Sequence, residues 1–276
     1  MKELKEVVKE KYSEIALQNN PLNNSSCCGS DSSCCNKDYT VFSESYENLI
    51  GYYSEADLGL GCGLPTEFAD IKFGDTVIDL GSGAGNDCFV ARALVGDNGE
   101  VFGIDMTEAM INKANANLIK TPYRNIHFIH GEIENIPVVD EKADVVISNC
   151  VLNLVPDKQK AFSEIFRILK SGGHFSISDV VVKGQLPESI KNHAEMYAGC
   201  VSGALQKDEY LSIIEKSGFI NIQVQKEKQI VIPDEFFLKY TSEQELKNFK
   251  EINNGIYSIS VYAEKPKCMF DCQFSN

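Results

Sequence analysis

The chain has 276 residues, 43% of them hydrophobic, enough for one large α/β domain with an appendage. Its 26 basic and 40 acidic residues leave a net charge of −14, which argues against a nucleic-acid or anionic-membrane surface and suits a small-molecule substrate. Ten unevenly spread cysteines do not make a secreted disulfide scaffold; in a reducing compartment they are thiols, open to soft ions or redox work.

Residues 1–18 place Val7, Val8, Tyr12 and Ile15 near one face of an amphipathic helix. This charged opening is unlike a secretory leader, and with no apolar run of membrane-spanning length a cytoplasmic location is expected. Residues 19–38, NNPLNNSSCCGSDSSCCNKD, are low-complexity, so 1–38 is read as a helix followed by a flexible cysteine-rich segment. Cys27-Cys28 and Cys34-Cys35 are adjacent pairs, unlike the C-x-x-C spacing of a tetrahedral zinc site. They suit a thiol donor, a soft-metal collector or a dispensable tail. Residues 39–182 form the main domain. Its first part, to Asp70, carries Tyr52-Tyr53, which either cover a ligand or pack on a sheet. Cys62, between Gly61 and Gly63, sits in a loop where a thiol can be exposed.

The stretch Thr76–Met106 organises the rest. Val77-Ile78-Asp79-Leu80 reads as a buried parallel strand, Gly81-Ser82-Gly83-Ala84-Gly85 as a tight turn, and the following segment as a helix carrying Phe89, Val90, Ala93 and Leu94. Val101-Phe102-Gly103-Ile104 is a second strand ending at Asp105, 20 positions after Gly85, a spacing that suits an acid on ribose hydroxyls. A dinucleotide fingerprint wants a third glycine where Asn86 stands, and no Walker lysine follows. GxGxG preceded by Asp79 resembles motif I of class I S-adenosylmethionine methyltransferases, whose acid and backbone meet the methionine moiety.

Beyond Asp105 come a helix with Ala109, Met110, Ile111, Ala114 and Leu118, a strand Ile126–Ile129, and the segment His130–Glu134. By the same resemblance Glu132 and the amide of Ile133 hold adenine. His127 and His130 show no metal-ligand pattern. A fourth strand, Ala143–Ser148, delivers Asn149 and Cys150 to the carboxyl edge, where open parallel sheets bind ligands. The helix Asp157–Leu169 is expected to stop at Gly172-Gly173, ahead of a fifth strand His174–Val180. Residues 183–266 are a mainly helical insertion over the substrate site and then two alternating strands, Ile220–Gln229 and Ile256–Ala263; 267–276 is a tail with Cys268 and Cys272. The fold class is α/β: a Rossmann-like, doubly wound, mostly parallel sheet closed by an antiparallel strand.

The runs GCGLP, DLGSGAGNDC, GIDM, SNCVLNLVPDK, GGHFSISDV and GCVSGAL, in that order over about residues 45–205, resemble the arsenite methyltransferase family. The resemblance implies that trivalent arsenic, the substrate, binds the thiols of Cys62, Cys150 and Cys200 and accepts methyl groups from S-adenosylmethionine. It implies a cofactor set of Asp79, Gly81, Ser82, Gly83, Asp105, Met106, Glu132, Ile133 and Asn149. Cys88 also matches a family cysteine, although it lines up with apolar neighbours on its helix. Seven residues, Ser54 to Leu60, separate Tyr53 from Gly61, where some members run tyrosine directly into GCG. Thiolates match soft arsenic, and methylation leaves pentavalent arsenic that needs a thiol reductant of glutathione or thioredoxin type, with a thiol-reducing protein as a partner. Two other readings compete: a methyltransferase of an organic acceptor such as a quinone or sterol, and a soft-metal-sequestering protein that consumes no methyl donor.

Overall fold

The computed structural model describes residues 4–17, 44–187, 189, 203–231, 234–239, 241–251 and 254–268. The apolar runs become strands β1 (Thr76–Leu80), β2 (Glu100–Asp105), β3 (Ile126–His130), β4 (Ala143–Asn149), β5 (Leu169–Lys183), β6 (Ile220–Ile230) and β7 (Gly255–Glu264). They form one sheet in the order β3-β2-β1-β4-β5-β7-β6. The first five are mutually parallel, and β7 runs antiparallel to both β5 and β6. The doubly wound sheet with an antiparallel closing strand is as expected, with β7 wedged between β5 and β6.

Helices α1 (Leu4–Leu17), α3 (Asn86–Val95) and α4 (Glu108–Ile119) bury Ile15, Phe89 and Met110 on one face of the sheet. Helices α5 (Lys158–Ile168) and α6 (Lys207–Lys216) bury Phe162, Ile165, Tyr210 and Ile214 on the other. The short α2 (Pro65–Phe68) lies before β1, while α7 (Asp234–Phe237) and α8 (Glu243–Glu251) fill the β6–β7 connection. Strands β1 and β4 are buried along most of their length, which is why they read as mainly apolar runs broken by few polar residues, Asp79 among them.

One boundary differs from expectation. Asp157 caps α5, its Oδ1 accepting the Lys160 N–H at 2.9 Å, but the helix ends at Ile168, before the glycine pair. Leu169 is already extended and begins β5; Gly172, at φ +77°, supplies a bend within that strand. The register explains the early stop, because Leu169 pairs with Ala143 and sheet bonding outcompetes another helical turn.

Candidate active site

β1 and β2 end side by side, and the chain between them makes the tight turn over their carboxyl edge. Gly81 donates to the Ile104 carbonyl at 2.7 Å and Ser82 to the same oxygen at 3.0 Å. Gly81 has φ +74°, and a Cβ there would lie 2.4 Å from Val151. Gly83 has φ +52° and open space where its Cβ would be, so the backbone itself faces the cleft. Asp105 binds the turn: Oδ2 accepts the Gly83 N–H at 3.0 Å and Oδ1 the Thr107 N–H at 2.8 Å. Burial pushes the Asp105 carboxyl up, opposed by those two amides.

The cleft measures about 1040 Å³ out to its mouth, within the range of small-molecule sites. Gly81, Ser82, Gly83, Asp105, Met106, Glu132, Ile133, Asn149 and Cys150 all line it. Ser82 Oγ and Asn86 Oδ1, also in its wall, are buried and make no hydrogen bond among the described residues. Asp79 does not line the cleft. It lies beneath the glycine turn, accepting the Cys88 thiol at 3.2 Å, and burial followed by the charge of Asp87 raises its carboxyl well above the ordinary range. Cys88 is fully buried with its own thiol pushed up by the same burial, consistent with a place in the helix packing.

Cys62 and Cys150 come from distant segments into one apolar cluster with Val8, Leu154 and Val180; Cys150 lines the cleft, whereas Cys62 lies behind its lining. The expectation of an exposed Cys62 is corrected: it is 1% accessible, because its loop is tied down on the sheet edge. Its N–H donates to Asn149 Oδ1 at 3.0 Å and its carbonyl accepts from Ser258 Oγ at 2.6 Å. Cys150 is buried as well and has φ +61°, the left-handed region that a residue with a Cβ enters at a cost, so its placement is enforced by its surroundings. The Cys150 N–H donates to the Ser178 carbonyl at 2.7 Å. Tyr210 lies close enough to feel both thiols, although burial and then Asp179 are what chiefly raise its hydroxyl. Cys200 and the cysteines at 27, 28, 34, 35 and 272 lie outside the described residues. Cys268, in the tail, is exposed.

Sequence reasoning missed the roof and one corner. Lys5, Val8 and Tyr12 of α1 line the cleft, and Lys5 Nζ binds Glu132 at 2.7 Å and Glu134 at 2.8 Å. The hydrogen bond from Lys5 holds the Glu132 carboxyl below its usual range. Tyr46, also in the wall and 4% accessible, has its hydroxyl 3.0 Å from both oxygens of Asp87. Nothing local distinguishes Tyr46 from its many aromatic neighbours in the sequence. Tyr53 packs against Phe89 with ring centroids 5.3 Å apart and, like Tyr52, lies off the cleft. His127 stacks on Phe102, and His130 Nε2 lies 2.9 Å from the Met106 carbonyl.

Residues 71–218 match the family described as "Methyltransferase domain". An arsenite methyltransferase of Halobacterium salinarum is 38% identical over 96% of the chain and 67% of its own length. The human arsenite methyltransferase is 32% identical over 99% of the chain and 76% of its own length. The chain belongs to the arsenite methyltransferase family. The crystal structure of an arsenic(III) S-adenosylmethionine methyltransferase of Chlamydomonas reinhardtii superposes with a TM-score of 0.64 at 35% identity, over 75% of this chain and 68% of that one. Among arsenite methyltransferases the methyl donor is thus S-adenosylmethionine, and this cleft fits it. The Gly83 cradle would be filled by any Cβ, and Asp105, in the cleft wall, keeps acceptor capacity beyond its two backbone bonds. Among the described residues no helix is long and apolar enough to cross a membrane.

Proposed function

We infer that this arsenite methyltransferase holds trivalent arsenic through the thiolates of Cys62, Cys150 and Cys200 beside the S-adenosylmethionine cleft. The observation that supports this reading is that Cys62 and Cys150, distant in sequence, share one buried cluster, with Cys150 lining the cleft itself. S-adenosylmethionine, when bound, supplies a methyl group on a positively charged sulfonium. Asp105 would accept from its ribose, the Gly81–Gly83 backbone would follow its amino-acid arm, and Ile133 would border the adenine. Glu132 contributes less to that contact than its position suggests, because Lys5 already engages its carboxylate.

Arsenic is thiophilic, so sulfur ligands gathered on one side leave its lone pair on the other. The chain's work is to align that lone pair with the donor and to exclude water. The apolar surroundings of both thiols serve the second task, and their rigid anchoring serves the first. No side chain has to move a proton from the reacting arsenic, which accords with a cleft built from backbone, carboxylates and thiols. Each turnover that passes through pentavalent arsenic takes two electrons from a pair of thiols, which leave as a disulfide. A glutathione- or thioredoxin-type reductant restores them, and a cytoplasmic setting suits that cycle.

Incubation with methyl-labelled S-adenosylmethionine, arsenite and thiol should give labelled methylarsenicals, resolved by chromatography with arsenic detection. Cys150→Ser and Cys200→Ser should abolish arsenite turnover while keeping donor affinity, since oxygen is the harder and poorer ligand. Full arsenite turnover by either variant would sink the thiolate reading and favour an organic acceptor.

A further inference from the structure

Asn149 stands between the two described thiols of the site. It is the chain neighbour of Cys150, and its side chain holds the loop that carries Cys62. We propose that Asn149, braced by Tyr46 and Asp87, is a positioning residue that keeps Cys62 in register with Cys150, and that its amide serves the thiol loop instead of the methyl donor. The kinetic part of this proposal rests on the thiols being arsenic ligands; the positioning part does not.

The orientation of the amide is dictated by its partners. The Cys62 N–H can only donate and the Gly63 carbonyl can only accept, so Oδ1 meets the first at 3.0 Å and Nδ2 the second at 2.9 Å. These two bonds grip the loop on either side of the cysteine side chain. Nδ2 also reaches the Tyr46 hydroxyl at 2.5 Å and lies 3.3 Å from Asp87 Oδ2. Both amide hydrogens therefore point at protein acceptors. Tyr46 closes the knot by donating to Asp87, with Gly63 O a further 3.3 Å neighbour of its hydroxyl.

The loop is shaped to accept this grip. A Cβ on Gly61 would lie 2.6 Å from Asn149 Nδ2, and one on Gly63 would lie 2.6 Å from Ser178 Oγ. Only glycine on both sides lets the Cys62 backbone lie flat against the sheet edge. Ser178, in turn, supplies the carbonyl that fixes the Cys150 N–H. Asn149 is thus covalently joined to one thiol-bearing residue and hydrogen-bonded to the other. A small error in either sulfur position would misdirect the arsenic lone pair, and a misplacement of about 1 Å can cost about 100-fold in rate.

The test uses Asn149→Ala, with Tyr46→Phe as a milder variant that removes one hydroxyl and keeps the packing. Three quantities are measured on the full chain: iodoacetamide labelling of each cysteine by peptide mass spectrometry, S-adenosylhomocysteine affinity by calorimetry, and initial rates on arsenite and monomethylarsenite. Asn149→Ala should label Cys62 at least about tenfold faster, the scale of one lost buried hydrogen bond, with affinity for S-adenosylhomocysteine within about twofold of the parent. Its arsenite rate should fall about 100-fold and its monomethylarsenite rate much less, because carbon already fills one arsenic position. Tyr46→Phe should move the labelling and rates in the same direction by a smaller amount. Faster labelling of Cys62, Cys88 and Cys150 together marks unfolding of Asn149→Ala, and Tyr46→Phe then decides. Unchanged Cys62 labelling, or a tenfold loss of S-adenosylhomocysteine affinity without it, overturns the proposal. If the parent chain fails to methylate arsenite, the arsenic reading fails alone, and the labelling result still decides what Asn149 does.

Discussion

Asp179 should make this protein less stable as the pH rises through neutrality. Its carboxyl is fully buried on β5, and burial pushes it up to about 7 against the pull of the Val180 N–H, Lys158 and the Tyr210 hydroxyl. The Val180 bond is 2.9 Å and the Tyr210 bond 3.3 Å, too few favourable contacts to offset complete desolvation. Between the ordinary value of 3.8 and about 7, the folded chain keeps a proton that the unfolded chain has released. A raised folded-state value means that the stabilisation is complete below the unfolded value and disappears as pH climbs through the folded one. Linkage then gives a loss on the order of 2–3 kcal/mol between about pH 5 and pH 8 from this group alone. Asp179→Asn keeps an acceptor for Val180 and an amide for the Tyr210 hydroxyl, but carries no proton to lose. Denaturant unfolding at several pH values should show the parent losing that much more stability than the variant across the interval. Asp87, raised for the same reason of burial, contributes equally to both proteins and cancels in the comparison. Parallel pH profiles for the two proteins would refute the reasoning.

Asp105→Ala should weaken S-adenosylhomocysteine binding by about 1–3 kcal/mol, since it removes a charge-assisted acceptor and frees the Gly83 amide that the acceptor holds; calorimetry giving unchanged affinity would remove Asp105 from the site. Cys150→Gly should be more stable than Cys150→Ala by about 1 kcal/mol, the reverse of the usual order, because glycine enters the left-handed region without strain. Equal denaturation midpoints for that pair would show that φ +61° costs nothing there. Lys5→Glu should break the tie between α1 and Glu132–Glu134 and release S-adenosylhomocysteine a few-fold faster in stopped-flow displacement; as a partly exposed ion pair its effect on stability should stay below about 1 kcal/mol.

The unit from β1 to β2 was legible in the sequence because its determinants are local. An apolar run bounded by glycines, a helix period and an acid at the end of the second run each act within a few residues, and Gly81, Gly83 and Asp105 line the cleft. The same locality explains β4 and its delivery of Asn149 and Cys150 to the carboxyl edge. Motif resemblance singled out Cys62, but its burial could not be read from a loop flanked by glycines. That burial depends on Asn149 and Ser258, which are 87 and 196 positions away, and no local pattern encodes such partners. The roof of the cleft was hidden for a similar reason, because α1 looks like any amphipathic helix until Lys5 meets Glu132 across 127 residues. Asp79 shows the converse, a motif acid that the fold draws beneath the turn while Asp87, in the first turn of α3, takes a place in the wall. Sequence determined which segments become strands, turns and helices, through propensity and periodicity. Tertiary packing alone decided which polar groups face the cleft, because desolvation and hydrogen-bond satisfaction are settled only when distant segments meet.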